Sequence, residues 1–261
     1  MNASPSKKEA AASGQISLRV AFQLVRFGWI LATAGVQFLI LRLRGKMQTH
    51  RARALWLQRI CRRLVKMLDL RLRYRGEPAK SGAFIFNHVS YLDIIALSAR
   101  DPVIFVAKKE VESWPVIGWV AAAAGTLFID RSRRADVARV SAQMSRVVAQ
   151  GVRVCIFPEG TSSDGRQVLP FRTSLLEPLV SQGWPLTAGW IGYKLESGSV
   201  ENEVCYWGEM SFGSHFVHLL SKPCIYASVA YSSVQSQGSS RKELGRELHG
   251  IVSDLATTAA E

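Results

Sequence analysis

After residue 70 the chain alternates short apolar runs with longer stretches of helical period, and this alternation constrains the fold more than any other feature. Candidate strands fall at 72–74, 83–86, 103–107, 126–129, 152–157, 186–191, 204–207 and 225–231. Candidate helices fall at 91–99, 116–123, 135–150, 174–181, 212–220 and 241–256. Such alternation predicts an α/β fold with a mixed sheet flanked by helices. At 261 residues with 48% hydrophobic content, the chain can bury one sizeable core and does not demand two. No internal repeat or interdomain linker follows residue 80, so residues 71–261 are expected to form one domain.

The first 70 residues follow a different pattern. Residues 1–18 are rich in Ala, Ser and Lys without a sustained period and are expected to be a flexible tail. Residues 20–41 are mostly apolar, interrupted by Gln23, Arg26 and Gln37. That approaches the ~20 apolar residues a spanning helix needs, so the segment can cross a bilayer or lie within one leaflet. Arg42, Arg44 and Lys46 stand where a signal peptide would need a small-residue cleavage site, which points to an uncleaved anchor. If the anchor spans, these cations with Arg51 and Arg53 outweigh Lys7, Lys8 and Arg19, and the remainder is expected on the cytoplasmic side of the cell membrane. Residues 49–70 then place Leu57, Ile60, Leu64 and Leu68 at helical spacing among Arg51, Arg59, Arg62, Arg63 and Lys66. This is an amphipathic helix suited to an anionic headgroup layer or to the surface of the domain. Residues 19–70 are thus read as membrane-associating helices, of which the anchor is expected to add little to the α/β core.

Charge placement supports the lipid reading. Residues 1–80 hold 17 of the 33 Lys and Arg and only three acids, Glu9, Asp69 and Glu77, so all of the formal excess of +13 lies in the N-terminal third. Beside a long apolar run, such charge favours an anionic bilayer surface over nucleic acid. No helix-turn-helix, RNP-type or zinc-finger spacing appears, and no nucleic-acid partner is expected. Cys61, Cys155, Cys205 and Cys224 lie far apart with no C-x-x-C pair, which fits a reducing, cytoplasmic setting.

Three segments carry residues with chemistry. Asn87-His88-Val89-Ser90-Tyr91-Leu92-Asp93 follows a candidate strand, placing His88 at a strand's carboxyl end and Asp93 in the first turn of the next helix. A carboxylate there can orient the imidazole and stabilise its protonated form, the arrangement needed for taking a proton from an alcohol. Alternatively, Ser90 and Asp93 form a capping box and His88 merely closes the strand. Phe157-Pro158-Glu159-Gly160-Thr161 follows another strand and is either a turn whose amides and Thr161 hydroxyl face a phosphate or a plain strand-to-loop turn. Phe128-Ile129-Asp130-Arg131 ends a third strand, where Arg131 can hold a phosphate or sit on the surface beside Arg133 and Arg134.

Taken in order, these segments resemble the glycerolipid acyltransferase family, that of the lysophosphatidic acid and lysophospholipid acyltransferases. Its blocks N-H-x-x-x-x-D, F-x-x-R, F-P-E-G-T and an apolar block with a proline match Asn87 to Asp93, Phe128 to Arg131, Phe157 to Thr161, and Trp184-Pro185-Leu186. Ala107-Lys108-Lys109-Glu110 with Pro115 and Gly118 is similar to the family's segment between the first two blocks. The resemblance covers roughly residues 70–230 and implies that 71–261 is an acyltransferase catalytic domain. It implies His88 as general base and Asp93 as its partner, with Asn87, Arg131, Glu159, Gly160, Thr161 and Arg172 at the acceptor. The donor it implies is an acyl-CoA or acyl carrier protein thioester, and the acceptor a lysolipid in phospholipid biosynthesis, with 1-acyl-glycerol-3-phosphate first. No metal, cofactor or catalytic cysteine is implied; His215 and His218 can share a helix face but have no evident third ligand.

Two departures bear on the acceptor. Ser162-Ser163-Asp164-Gly165 stands where the family often has R-S, and Phe171-Arg172-Thr173-Ser174 stands where F-K-x-G is usual. The first removes a cation near the headgroup. The run from Phe157 to Gly165 is also similar to the branch that acylates lyso-ornithine lipid, which makes that lipid the alternative acceptor.

Overall fold

A computed structural model describes residues 7–130, 132–234 and 240–260. The chain opens with two helices, α1 (Lys7–Leu43) and α2 (His50–Met67), and then enters the alternating part. There β1 (Leu70–Arg75), β2 (Gly82–Phe86), α3 (Leu92–Arg100), β3 (Val103–Lys108), α4 (Ile117–Ala124), β4 (Leu127–Ile129), α5 (Arg134–Ala149) and β5 (Arg153–Ile156) follow in turn. The remainder comprises α6 (Glu177–Gln182), β6 (Leu186–Lys194), α7 (Val200–Glu203), α8 (Phe212–Ser221), β7 (Ile225–Val234) and α9 (Arg241–Ala260).

The strands form one sheet among the described residues, in the order β1-β7-β6-β2-β5-β3-β4. Every pairing is parallel except β6 with β7, so the sheet is mixed, as the alternation of the sequence predicts. Side chains of a strand point alternately to its two faces, and β2 shows it: Phe84 and Phe86 enter one core, Ala83 and Ile85 the other. The first core lies beneath α1, α2, α3 and α8, and the second beneath α5, α6 and α9. With helices on both faces, central strands read as unbroken apolar runs.

β2 and β5 are parallel neighbours at the centre of this sheet. Their carboxyl ends, and therefore the loops opening at Asn87 and Phe157, lie side by side. β4 is the edge strand, three positions from β2, or about 14 Å at the ~4.8 Å spacing of strands.

Some expectations are corrected. Residues 204–207 form no strand: after α7 they run as a loop whose Tyr206 N–H donates to the Val89 carbonyl at 2.8 Å, and buried Val204 and Cys205 account for their apolar character. Residues 174–181 are split into a 3₁₀ turn, Thr173–Leu175, and α6, with Pro178 in the first turn of α6. Helix α1 begins at Lys7, inside the segment read as a tail, where Ala10, Ala11 and Ala12 favour helix.

Helix α1 also contributes to the core, contrary to the expected small contribution. Gln23, Ile30 and Ala34 are buried on its inner face. The Gln23 amide donates to the Met67 carbonyl at 2.7 Å, and the Trp56 indole N–H to the Ala34 carbonyl at 3.2 Å. Its outer face is a continuous apolar stripe of Leu18, Phe22, Val25, Trp29, Val36 and Leu43, all exposed.

Candidate active site

His88 lies two residues beyond β2 on the loop that leads into α3. Its Nδ1 is 2.7 Å from Asp93 Oδ2, and the Asp93 side chain is fully buried. The same oxygen accepts the backbone N–H groups of Val89 at 2.8 Å and Ser90 at 3.1 Å. The other carboxylate oxygen accepts the Tyr193 hydroxyl at 2.7 Å. Burial, with Asp93 beside it, holds the Tyr193 phenol well above its ordinary range, so it remains a donor. An acceptor surrounded by donors favours the Nδ1–H tautomer of neutral His88 and leaves the Nε2 lone pair free to accept a proton. Nε2 has no hydrogen-bond partner among the described residues, and the side chain is 22% exposed. Ser90 caps α3 only weakly, so Asp93 serves the imidazole and the loop amides, not a reciprocal capping box.

The second loop supports the first. The Phe157 ring stacks on the His88 imidazole, with centroids 4.1 Å apart and planes 13° from parallel, and Phe105 stacks on Phe157 in turn. Ser163 N–H donates to the His88 carbonyl at 2.9 Å. Gly160 adopts φ +76°, a left-handed turn that suits glycine. Glu159 is buried and its Oε1 accepts the His88 N–H at 3.2 Å.

Burial pushes the Glu159 carboxyl up to about 8, against the His88 N–H, which favours the ionised form. In the unfolded chain a glutamate titrates at about 4.3, so between these limits the folded protein binds a proton that the unfolded chain has lost. Stability from this group is complete below the unfolded value and falls as pH rises towards 8. Glu159→Gln keeps an acceptor for the His88 N–H and removes that dependence. Its thermal midpoint, relative to wild type, should be higher at pH 8 than at pH 5; equal offsets would count against a neutral Glu159.

The other expected site residues separate. Asn87 is turned away from a ligand role: its amide donates to the Ile191 carbonyl at 2.9 Å and accepts the Ile191 N–H at 2.8 Å, extending the pairing of β2 with β6. Thr161 is exposed on the second loop. The Arg172 side chain is exposed while its N–H donates to the Pro158 carbonyl at 2.8 Å, which anchors the far end of that loop. Arg131 lies outside the described residues. The fourth block is at the opposite end of the sheet, where the Pro185 carbonyl accepts Ala83 N–H at 3.0 Å. Gly82 passes so close, at φ +103°, that a Cβ there would stand 2.0 Å from the Pro185 oxygen. This block therefore sets strand register.

Tyr193 and the stacking role of Phe157 are not apparent from the motifs alone. A strand carried past Ile191 at period two would have placed Tyr193 on the Ile191 face, and that was the available signal. An apolar cavity of about 200 Å³ is lined by Phe27 of α1, Leu57 and Leu64 of α2, Tyr91, Phe105 and Phe216, among others, and Phe105 connects it to His88 through the Phe157 ring. Among the described residues no group of three or more His, Cys, Asp or Glu could hold a metal ion.

A mostly parallel α/β sheet carries a His–Asp pair at the carboxyl end of a central strand, an arrangement able to accept a proton from a hydroxyl, and the comparisons give the class of enzyme. The profile of the Acyltransferase family matches residues 71–191. A lyso-ornithine lipid O-acyltransferase of Rhodobacter capsulatus is 38% identical over 170 residues, 62% of this chain and 60% of that protein. A 1-acyl-sn-glycerol-3-phosphate acyltransferase of Neisseria meningitidis serogroup B is 37% identical over 141 residues, 52% of this chain and 55% of that protein. A lyso-ornithine lipid O-acyltransferase of Pseudomonas aeruginosa is 31% identical over 200 residues, 76% of this chain and 75% of that protein. The chain thus spans less than two thirds of the length of the first two relatives. The crystal structure of the 1-acyl-sn-glycerophosphate acyltransferase PlsC from Thermotoga maritima shares the fold, with TM-score 0.64 and 18% identity over 94% of this chain and 98% of that one. The chain belongs to this acyltransferase family.

Proposed function

We propose that the protein transfers a fatty acyl group from an acyl thioester to the free hydroxyl of a lysolipid at a membrane surface. The observation that carries this reading is the His88–Asp93 pair with its unpartnered Nε2, joined to an apolar cavity through the stacked rings of Phe157 and Phe105. Nε2 takes the hydroxyl proton as the oxygen attacks the thioester carbonyl. The tetrahedral intermediate collapses with loss of thiolate, and the imidazolium returns the proton to that sulfur. Asp93, 2.7 Å away, stabilises the transient imidazolium. The cavity receives an acyl chain, and the donor is an acyl-CoA or acyl carrier protein thioester. The reaction needs no cofactor.

The acceptor follows from the charge of the second loop. Ser162, at the position of a common family cation, donates its hydroxyl to the Tyr206 carbonyl. Arg166 is engaged by Glu201 at 2.6 Å and by Asp164 at 3.8 Å, which leaves Arg172 as the loop's unpaired cation among the described residues. A phosphate monoester carries up to about two charges and calls for several cations, whereas a zwitterionic headgroup needs fewer. The motifs by themselves rank 1-acyl-glycerol-3-phosphate first. The loop, together with the names of the Rhodobacter and Pseudomonas relatives, moves lyso-ornithine lipid ahead of it. Full-length protein offered both acceptors with one acyl thioester should acylate lyso-ornithine lipid faster, as read by mass spectrometry of the products. Strict use of 1-acyl-glycerol-3-phosphate would reverse the acceptor assignment, and transfer to neither would reject the function.

The same reading places the protein on the inner face of the cell membrane, with α1 lying in one leaflet. The segment Leu18–Leu43 is long and apolar enough to span. Yet Arg19 donates to the Lys222 carbonyl at 2.7 Å, and Gln23, Ile30 and Ala34 are buried against the domain, so crossing would draw the catalytic domain into the hydrocarbon. The exposed stripe from Leu18 to Leu43 faces lipid instead, and the cations of α2 meet anionic headgroups.

A further inference from the structure

The wall of the apolar cavity carries a polar fastening. Tyr91, three residues after His88, lines the cavity, and its hydroxyl lies 2.9 Å from His215 Nδ1. His215 is buried on α8 between Phe212 and Phe216, both of which also line the cavity. Burial keeps the Tyr91 phenol protonated and lowers the His215 imidazole below its ordinary range, so the hydroxyl donates to a neutral ring. The Tyr91 ring meets Phe212 at 5.2 Å and His215 at 5.5 Å, edge to face. Phe216 in turn packs on Phe27 of α1, with centroids 4.8 Å apart, so the wall that Tyr91 joins is continuous with the lipid-facing helix.

Burial of an apolar ring is non-directional, whereas a hydroxyl's hydrogen bond has one geometry, and a buried hydroxyl left without an acceptor costs about 1–3 kcal/mol. The bond to His215 therefore selects one orientation. We propose that the Tyr91–His215 hydrogen bond is a specificity-determining tether, which fixes the Tyr91 ring as a wall of the apolar cavity and so sets which acyl chains the enzyme transfers. Both are positioning residues: neither acts on the reacting atoms. The inference rests on the reading that this cavity receives an acyl chain.

The test uses full-length protein, the acceptor preferred by the wild type, and saturated acyl thioesters differing by pairs of methylenes. The readout is the ratio of kcat/KM for the best chain to that for the next longer one. An apolar pocket discriminates by about tenfold or more per methylene, so releasing the ring in Tyr91→Phe should reduce the ratio by about tenfold. His215→Phe, which keeps the volume and removes the acceptor, should do the same. His215→Asn, whose Oδ1 stands near the place of Nδ1, should retain the wild-type ratio, a rescue that a merely space-filling role would not produce. Unchanged ratios in Tyr91→Phe, or an Asn variant that behaves as Phe, would overturn the proposal. Thermal shifts with free fatty acids of the same series read the cavity's chain preference without turnover. A wild type inactive on lysolipids would thus sink the proposed function while the tether was still decided.

Discussion

Replacing His88 with alanine is expected to lower turnover by at least the ~10²–10⁴-fold that a general base contributes, with little loss of stability. The ring is partly exposed and stacks on Phe157 on one side, whereas the loop is held by contacts that the substitution leaves in place. Those contacts are Val89 and Ser90 N–H on Asp93, Ser163 N–H on the His88 carbonyl, and Tyr206 N–H on the Val89 carbonyl. Asp93→Asn should cost nearly as much for a different reason. Its side-chain oxygen can still accept from the imidazole and the amides, and the Tyr193 hydroxyl can reverse to accept from the new NH₂. What is lost is the negative charge 2.7 Å from Nδ1, on which the imidazolium depends. Single-turnover assays on variants with wild-type thermal midpoints would check both, and near-normal activity of folded His88→Ala would end the general-base assignment.

Deleting residues 1–48 is expected to damage folding as well as membrane binding. The deletion removes Ile30, Ala34 and Met47 from the first core and uncovers Trp56, which is now fully buried and bonded to the Ala34 carbonyl. It also leaves the Met67 carbonyl without the Gln23 amide. At about 25 cal/mol per Å² of apolar surface the loss is on the order of several kcal/mol, and at ~2–4 °C per kcal/mol the thermal midpoint should fall by roughly 10 °C or more. A truncated protein that is monodisperse, soluble without detergent and as thermally stable as the full chain would show that α1 is only an anchor. The arginines of α2 should preserve part of the binding to anionic vesicles, and salt should weaken it.

Local features were legible because they depend on a few neighbouring residues. The five-residue spacing of His88 and Asp93 can bring carboxylate to imidazole where a strand passes through a short loop into a helix, and here it does. Alternation of short apolar runs with helical stretches identified the mixed α/β sheet, because covered strands and amphipathic helices differ in period. The run 204–207 misled for the same reason: its apolar residues are buried, but in a loop, and local composition does not distinguish the two.

The residues by themselves therefore determined the class of fold, the pairing of His88 with Asp93, and the concentration of positive charge beside the apolar helix. Tertiary structure alone decided which blocks meet. The order β6-β2-β5 puts Phe157 and Glu159 against His88, brings Tyr193 onto Asp93, leaves Phe128 at the sheet edge and sends Pro185 to the opposite end. It also turned Asn87 from an expected ligand contact into a bond between strands, and made α1 part of the core. Strand order arises from burying two whole faces at once, a free energy summed over the domain, and no window of neighbouring residues contains it.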